Sequence, residues 1–269
     1  MTPLLPLASS PQVRRGHNSW GTLTWQLNEI WPTGGWGSLE YGTVGFTSGQ
    51  VIGGRWKPLH HIMADHVYRD VLLVCGADAS CYAKNDNPIA PFTGNFTVTV
   101  LNVGTGAEST VASGQLNLPR GGGAITWLCA DGGASPCHSY ASFLPSYGGC
   151  VASGANCLLL TTVVDASTGA VVDSDTTLVA LPSAMTLPAA HVTFSVGSVA
   201  PDGSVPVTVT SDAVALFVTL TTLAQGRFST NAFTLRPTSP AIVHFIPFGL
   251  LDSALLASSI RVEHVRSYI

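Results

Sequence analysis

NFTVTVLNVGTGAES, residues 95–109, sets apolar and β-branched residues at short intervals and then breaks into a glycine-rich turn. It reads as a strand with its turn, and it is one of a series. DVLLVCG (70–76), AITWLCA (124–130), CLLLTTVVDA (157–166) and DTTLVALP (175–182) share its texture, with RGGG (120–123), DGGASP (131–136) and DASTGA (165–170) as turns between strands. A second series follows Pro188: HVTFSVGS, VPVTVTS, VALFVTLTT, NAFTLRP, AIVHFIPF and SIRVEHVRSY. Each block has roughly 80 to 110 residues and about five to seven short strands, as an immunoglobulin-like sandwich requires. LPSAMTLPAA, residues 181–190, reads as the hinge between them. No helical stripe of comparable strength is expected after residue 70, so the bulk of the chain is all-β.

Before residue 70 the texture differs. GTLTWQLN (21–28) reads as a short strand, because Leu23, Trp25 and Leu27 alternate with threonine and glutamine. A Gly-rich loop runs from about Glu29 to Gly54, a length that is usually functional or disordered. RWKPLHHIMADHVYRD (55–70) then reads as a helix with Pro58 as its first helical residue and an apolar stripe of Leu59, Ile62, Met63, His66 and Val67. One strand and one helix cannot make a core, so this segment completes something larger or docks on the strand-rich blocks after it.

Composition excludes several functions. Charged residues are 10% of the 269, against roughly 25% in an average soluble protein, and the net charge is -4. There is no basic stripe for nucleic acid, and the longest apolar runs fall short of the ~20 residues of a membrane helix. The N-terminal MTPLLPLASS lacks the features of a secretory signal. Either the protein stays in the cytosol or its true N-terminus lies elsewhere. The six cysteines bear on that choice. None forms a C-x-x-C zinc pair, and Cys150 and Cys157 flank the loop VASGAN in a layout that suits a loop-closing disulfide. Asn95-Phe96-Thr97 is an N-glycosylation sequon. An oxidising compartment accounts for both; six buried thiols and a chance tripeptide in a cytosolic protein are the competing account.

Five of the six tryptophans, Trp20, Trp25, Trp31, Trp36 and Trp56, lie within residues 20–56. Aromatic faces stack on sugar rings and on bases, although packing against the remainder of a domain is the plainer use. His60, His61 and His66 invite a metal reading, with Asp65 one turn from His61, but neighbouring helix positions point ~100° apart and no H-E-x-x-H occurs, so helix packing is the better account. No G-x-S-x-G elbow is present. Glu29 and Glu40 sit on one loop rather than on separate rigid strands, so they read as hydrogen-bonding or capping residues, not as a glycosidase pair.

GTLTWQLNEIWPTGGWGSLEYG (21–42), followed by GRWKPLH (54–60), resembles the closing strand, loop and helix of the catalytic barrel in the family 2 β-mannosidases, particularly the lysosomal type. Cys150 to Cys157 with LLLTTVVDA is similar to that family's cysteine-bounded loop. VALFVTLTTLAQGRFSTNAFTL (214–235) resembles its last sandwich, with a G-R-F-S-x-N-x-F signature at Gly226, Arg227, Phe228, Ser229, Asn231 and Phe233. The resemblance implies a mainly β chain: two immunoglobulin-like β-sandwich domains preceded by the last strand, loop and helix of a (β/α)8 barrel. The implied domains are residues 1–69 for the barrel remnant, 70–184 for the first sandwich and 185–269 for the second.

The same resemblance implies a retaining β-mannosidase acting on terminal non-reducing β-D-mannose residues of oligosaccharides and glycoprotein glycans, in the lysosome or vacuole or secreted. Its two catalytic glutamates are expected on earlier strands, so none is assigned here and the chain alone is expected to be inactive. Trp25 matches the tryptophan that floors the sugar subsite, Trp36 a tryptophan of the adjoining loop, and Asn28 with Glu29 the pair that orders that loop. No cofactor and no metal are implied; the expected partners are β-mannoside oligosaccharides, with neither nucleic acid nor membrane, and any homo-oligomer would form through the full-length enzyme. Thr43–Gly53 departs from the family pattern, as a rim loop or a retained intron. A non-catalytic sandwich that binds carbohydrate or protein is the alternative.

Overall fold

The computed structural model describes residues 25–29, 35–40, 55–121, 125–237 and 239–269. Trp20 and Trp31, most of the expected 21–28 strand, and Thr43–Gly53 lie outside these. The chain divides into two compact units, one containing Ala64–Pro188 and the other Gly21–Met63 with Ala189–Ile269.

In the second unit two short strands, β1 (Leu39–Glu40) and β2 (Arg55–Trp56), pair antiparallel. Helix α1 (Pro58–Ile62) comes next, with Pro58 in its first turn as expected, and continues as a wider π-helical turn over Met63–Val67. Leu59, Met63 and Val67 of the anticipated stripe are buried, and so is His61. The expected strand at 21–28 is corrected in its described part. Residues 25–28 form no strand, and only Asn28 makes a bridge, parallel to Leu39. The Leu27 carbonyl takes two amides at once, from Ser38 and Leu39, which is not the pattern of a ladder.

The first unit is a two-sheet sandwich. Strands β3 (Val71–Cys75), β4 (Ser80–Asn85) and β7 (Ile125–Cys129) form one sheet in the order β3-β4-β7. Strands β5 (Phe92–Asn102), β6 (Glu108–Leu118), β8 (Cys157–Asp165) and β9 (Val171–Leu178) form the other in the order β6-β5-β8-β9. Leu73, Cys81 and Ala83 meet Val98, Val100, Leu116, Leu159 and Val163 in the core between them. A short helix α2 (Tyr140–Phe143) adds Tyr140, whose hydroxyl donates to the Gly76 carbonyl at 2.8 Å.

The turns are chemically specified. Asn102 closes the β5–β6 hairpin by accepting from the Gly104 and Thr105 amides at 3.0 and 3.2 Å. Asp165 does the same for β8–β9 through Ser167 and Thr168, whose hydrogen bonds hold its carboxyl down to about 2. Strand β3 would leave Leu73 polar groups bare on its free edge. Asp173 Oδ2 accepts the Leu73 amide at 2.7 Å and Thr161 donates to its carbonyl at 2.9 Å, so buried side chains complete that edge.

All six cysteines are paired, and all lie in this unit. Cys150–Cys157 is the disulfide expected from the sequence; Cys75–Cys81 joins facing residues of β3 and β4, and Cys129–Cys137 closes the turn after β7. These bridges fit an oxidising compartment. No helix among the described residues is long and apolar enough to cross a membrane.

The second sandwich stacks β10 (Val192–Val196), β11 (Val205–Ser211), β15 (Ala241–Pro247) and β13 (Gly226–Phe228), in the order β10-β11-β15-β13, on β14 (Phe233–Leu235), β12 (Ala215–Thr221) and β16 (Arg261–Glu263). Val207, Val209, Leu220, Phe228 and Phe245 fill its core. Positive φ at Phe217 marks a bulge in β12 that lets consecutive Ala215 and Leu216 both be buried. Helix α3 (Ser253–Ser259) has no apolar stripe; it is capped by Asp252, whose carboxylate accepts the Leu255 amide, and anchored in the core by Leu256.

Candidate functional site

The tryptophan-rich segment is held at its base by backbone bonds. The Leu27 carbonyl accepts the amides of Ser38 and Leu39 at 2.9 and 3.0 Å, and the Glu29 amide donates to the Leu39 carbonyl at 2.9 Å. Residues 27–29 and 37–39 therefore run side by side. Gly37 makes this possible, since a Cβ there would stand 2.6 Å from the Asn28 carbonyl carbon and 2.7 Å from the Glu29 nitrogen. Trp25 and Trp36 leave this clasp on its two arms, 82% and 68% exposed.

Side chains pin the clasp to β2 and α1. Lys57 Nζ donates to Glu29 Oε1 and to the Gly35 carbonyl, the latter at 2.9 Å. Glu29 is 3% exposed, and its second oxygen is buried without a hydrogen bond. Ser38, fully buried, donates to the Leu27 carbonyl at 2.8 Å and lies 3.1 Å from His60 Nδ1. The His60 ring stands edge-on to Trp56 at 4.4 Å, and His61 lies 5.5 Å from the same ring. Burial, and then the charge of Arg227, push the His60 pKa below its ordinary value.

Arg227 stacks over Trp56, its guanidinium carbon 4.7 Å from the ring centroid. Trp56, His61, Arg227 and Phe228 line a cleft of about 30 Å³, room for one water-sized guest and far below the ~300 Å³ of a small-molecule pocket. Trp25 and Trp36 instead hold their aromatic faces out in the open. Glu29 is committed to Lys57, so it is not a free acid or base.

The three histidines do not converge on one point: His60 lies against Ser38 and Trp56, His61 against the same Trp56 ring, and His66 is 3.7 Å from Asp175. Among the described residues no three potential metal-binding side chains converge. Asn95 is exposed on β5.

Residues 187–268 match a family model described as an Ig-fold domain, Ig_mannosidase. β-Mannosidase A of Aspergillus niger is 42% identical over 53 residues, 20% of this chain and 4% of that protein. The β-mannosidase of Bos taurus is 42% identical over 60 residues, 22% and 5% of the two chains. Among solved structures, β-D-mannosidase from Dictyoglomus thermophilum superposes with a TM-score of 0.61 at 16% identity, covering 91% of this chain and 26% of its own.

The chain is similar to the C-terminal portion of the β-mannosidases. The exo-chitosanase CsxA of Amycolatopsis orientalis shares the fold at a TM-score of 0.54 and 14% identity, over 91% of this chain and 30% of that one. In each case the match spans a small share of the relative's length.

Within this β-mannosidase-like chain the structure gives two sequence motifs a common purpose. Trp56, from GRWKPLH, is covered by Arg227, from G-R-F-S-x-N-x-F. The rest of that signature holds Arg227 in place. A Cβ on Gly226 would meet the Phe245 ring at 2.4 Å; Phe228 packs edge-on to Phe245 at 5.5 Å; Ser229 exchanges backbone and side-chain bonds with His244. Asn231 clamps both polar groups of Leu220 at 2.8 Å. Sequence reasoning missed Lys57, Ser38 and His60 as members of the site. The signal for Lys57 was its place between Trp56 and Pro58 in GRWKPLH, but its partner lies 28 residues away.

Proposed function

We infer that this chain forms one aromatic wall and its support in a glycoside hydrolase of the β-mannosidase type. The observation that carries the reading is the exposure of Trp25 and Trp36 on a clasp tied down by Glu29 and Lys57. The substrate class is terminal, non-reducing β-D-mannose in oligosaccharides and glycoprotein glycans, cleaved with retention through a glycosyl-enzyme intermediate. Trp25 supplies the floor of the sugar subsite and Trp36 a face beside it, while Asn28 holds the register of the two arms. The catalytic carboxylates belong to residues outside this chain, which therefore does not turn over by itself. The enzyme works in the lysosome, the vacuole or the medium, where disulfides persist, and it uses no cofactor. The aromatic wall also fits the second reading, a sandwich that binds carbohydrate without cleaving it.

The purified 269-residue chain is incubated with an aryl β-mannoside, and its tryptophan fluorescence is titrated with mannose and β-mannobiose. The expected result is no hydrolysis and a saturable fluorescence change that Trp25→Ala and Trp36→Ala each reduce. Hydrolysis by the chain alone would overturn the assignment of catalysis elsewhere. Binding of equal strength to unrelated sugars would favour the second reading.

A further inference from the structure

Asn95-Phe96-Thr97 is the one N-x-S/T triplet in the chain, and the fold sets it in the middle of β5. Phe96 turns inward and packs against the core, so Asn95 and Thr97, one residue to either side, face outward. Asn95 is exposed, with Gln115 of β6 and Val164 of β8 as its lateral partners. In the next row Ser113, Thr97, Thr162 and Ser174 stand side by side across all four strands. Neither row carries a charged side chain. A four-stranded face that is neither an apolar core nor a charged solvent surface, with an acceptor triplet at its centre, suits a covering of hydroxyl-rich carbohydrate.

We propose that Asn95 carries an asparagine-linked oligosaccharide whose first sugars lie over this outer face of β6-β5-β8-β9. The donor is a lipid-diphosphate-linked oligosaccharide. The Asn95 amide nitrogen forms a bond to C1 of the terminal sugar, the bond from C1 to the diphosphate oxygen breaks, the lipid diphosphate leaves, and the amide loses one proton. No oxidant or reductant is consumed. The Thr97 hydroxyl completes the acceptor triplet two residues on. The three disulfides of the same unit fit the compartment in which this transfer happens.

The full chain, expressed behind a secretion leader in a glycosylating eukaryotic host, is treated with an amidase that releases asparagine-linked glycans. The expected result is a downward mobility shift, with Asn95 converted to Asp in the peptide map. Thr97→Ala and Asn95→Gln should abolish the shift, while Thr97→Ser, which keeps the hydroxyl, should retain it and controls for folding. Release of the glycan should raise hydroxyl-radical labelling of Leu160 and Val164, which share the outer face, and leave inward Val163 unchanged. Secreted, disulfide-bonded protein with unmodified Asn95 would overturn the proposal. Glycosylation with unchanged labelling at Leu160 and Val164 would overturn the covering of the face.

Discussion

Lys57 and Glu29 illustrate how much one buried pair can hold. Glu29 is almost fully buried, and Lys57 also reaches the Gly35 carbonyl, so removing the ammonium leaves a carboxylate with nothing to offset its desolvation. Lys57→Met is expected to destabilise the unit that contains it by about 3 kcal/mol, measured by urea unfolding, with Lys57→Arg losing less. Asp173 is the counterpart in the other unit. Burial raises its carboxyl to about 6; the Leu73 amide, His66 and Arg69 work the other way, and the nearby charge of Asp175 adds to the rise. A folded-state pKa above the unfolded one means that the contribution to stability is complete at low pH and is lost as pH rises. The loss falls between about pH 4 and about pH 6, and is ~3 kcal/mol for a two-unit difference. In Asp173→Asn, which still offers an oxygen to the Leu73 amide, the dependence of the unfolding midpoint on pH in that window should flatten. An unchanged slope would assign it to other groups.

At the scale of the element, the G-R-F-S-x-N-x-F segment is a brace. Asn231 satisfies the amide and the carbonyl of Leu220 inside the core, on the side of β12 where its pairing with β14 ends at Val218. Asn231→Ala strands both groups, and a loss of about 2–4 kcal/mol is expected, read by thermal unfolding together with weakened protection of the Leu220 amide in hydrogen exchange. The elements also show where the sequence was legible. Strands β5, β8, β11, β12 and β15 announce themselves because apolar and β-branched residues fill them. Strand β6, ESTVASGQLNL, does not. Its inward residues are Ala112, Leu116 and Leu118, its outward ones are small and polar, and it is a strand because β5 offers it a long ladder. Strand β4, SCYAKN, carries no β-branched residue, and helix α3 buries a single residue, Leu256, too little for a stripe.

For the whole molecule, all three disulfides fall in the unit containing Ala64–Pro188 and none in the other. Each closes a short loop and is expected to contribute ~2–3 kcal/mol by restricting the unfolded chain. Reduction with dithiothreitol should therefore lower the calorimetric transition of that unit and leave the transition of the cysteine-free unit where it was. A matching fall in both would show that the units unfold together.

The sequence by itself determined the two strand-rich blocks, the turns between them, the Cys150–Cys157 bridge and the likeness to the β-mannosidases, since these rest on local pattern and close spacing. The tertiary structure alone decided that residues 25–28 make a clasp instead of a strand, that Glu29 is bound to Lys57, and that Trp56 lies under Arg227. The clasp rests on backbone bonds between residues 10 to 12 apart, and the two side-chain pairings on partners 28 and 171 residues apart; none of these leaves a periodicity for a sequence to display.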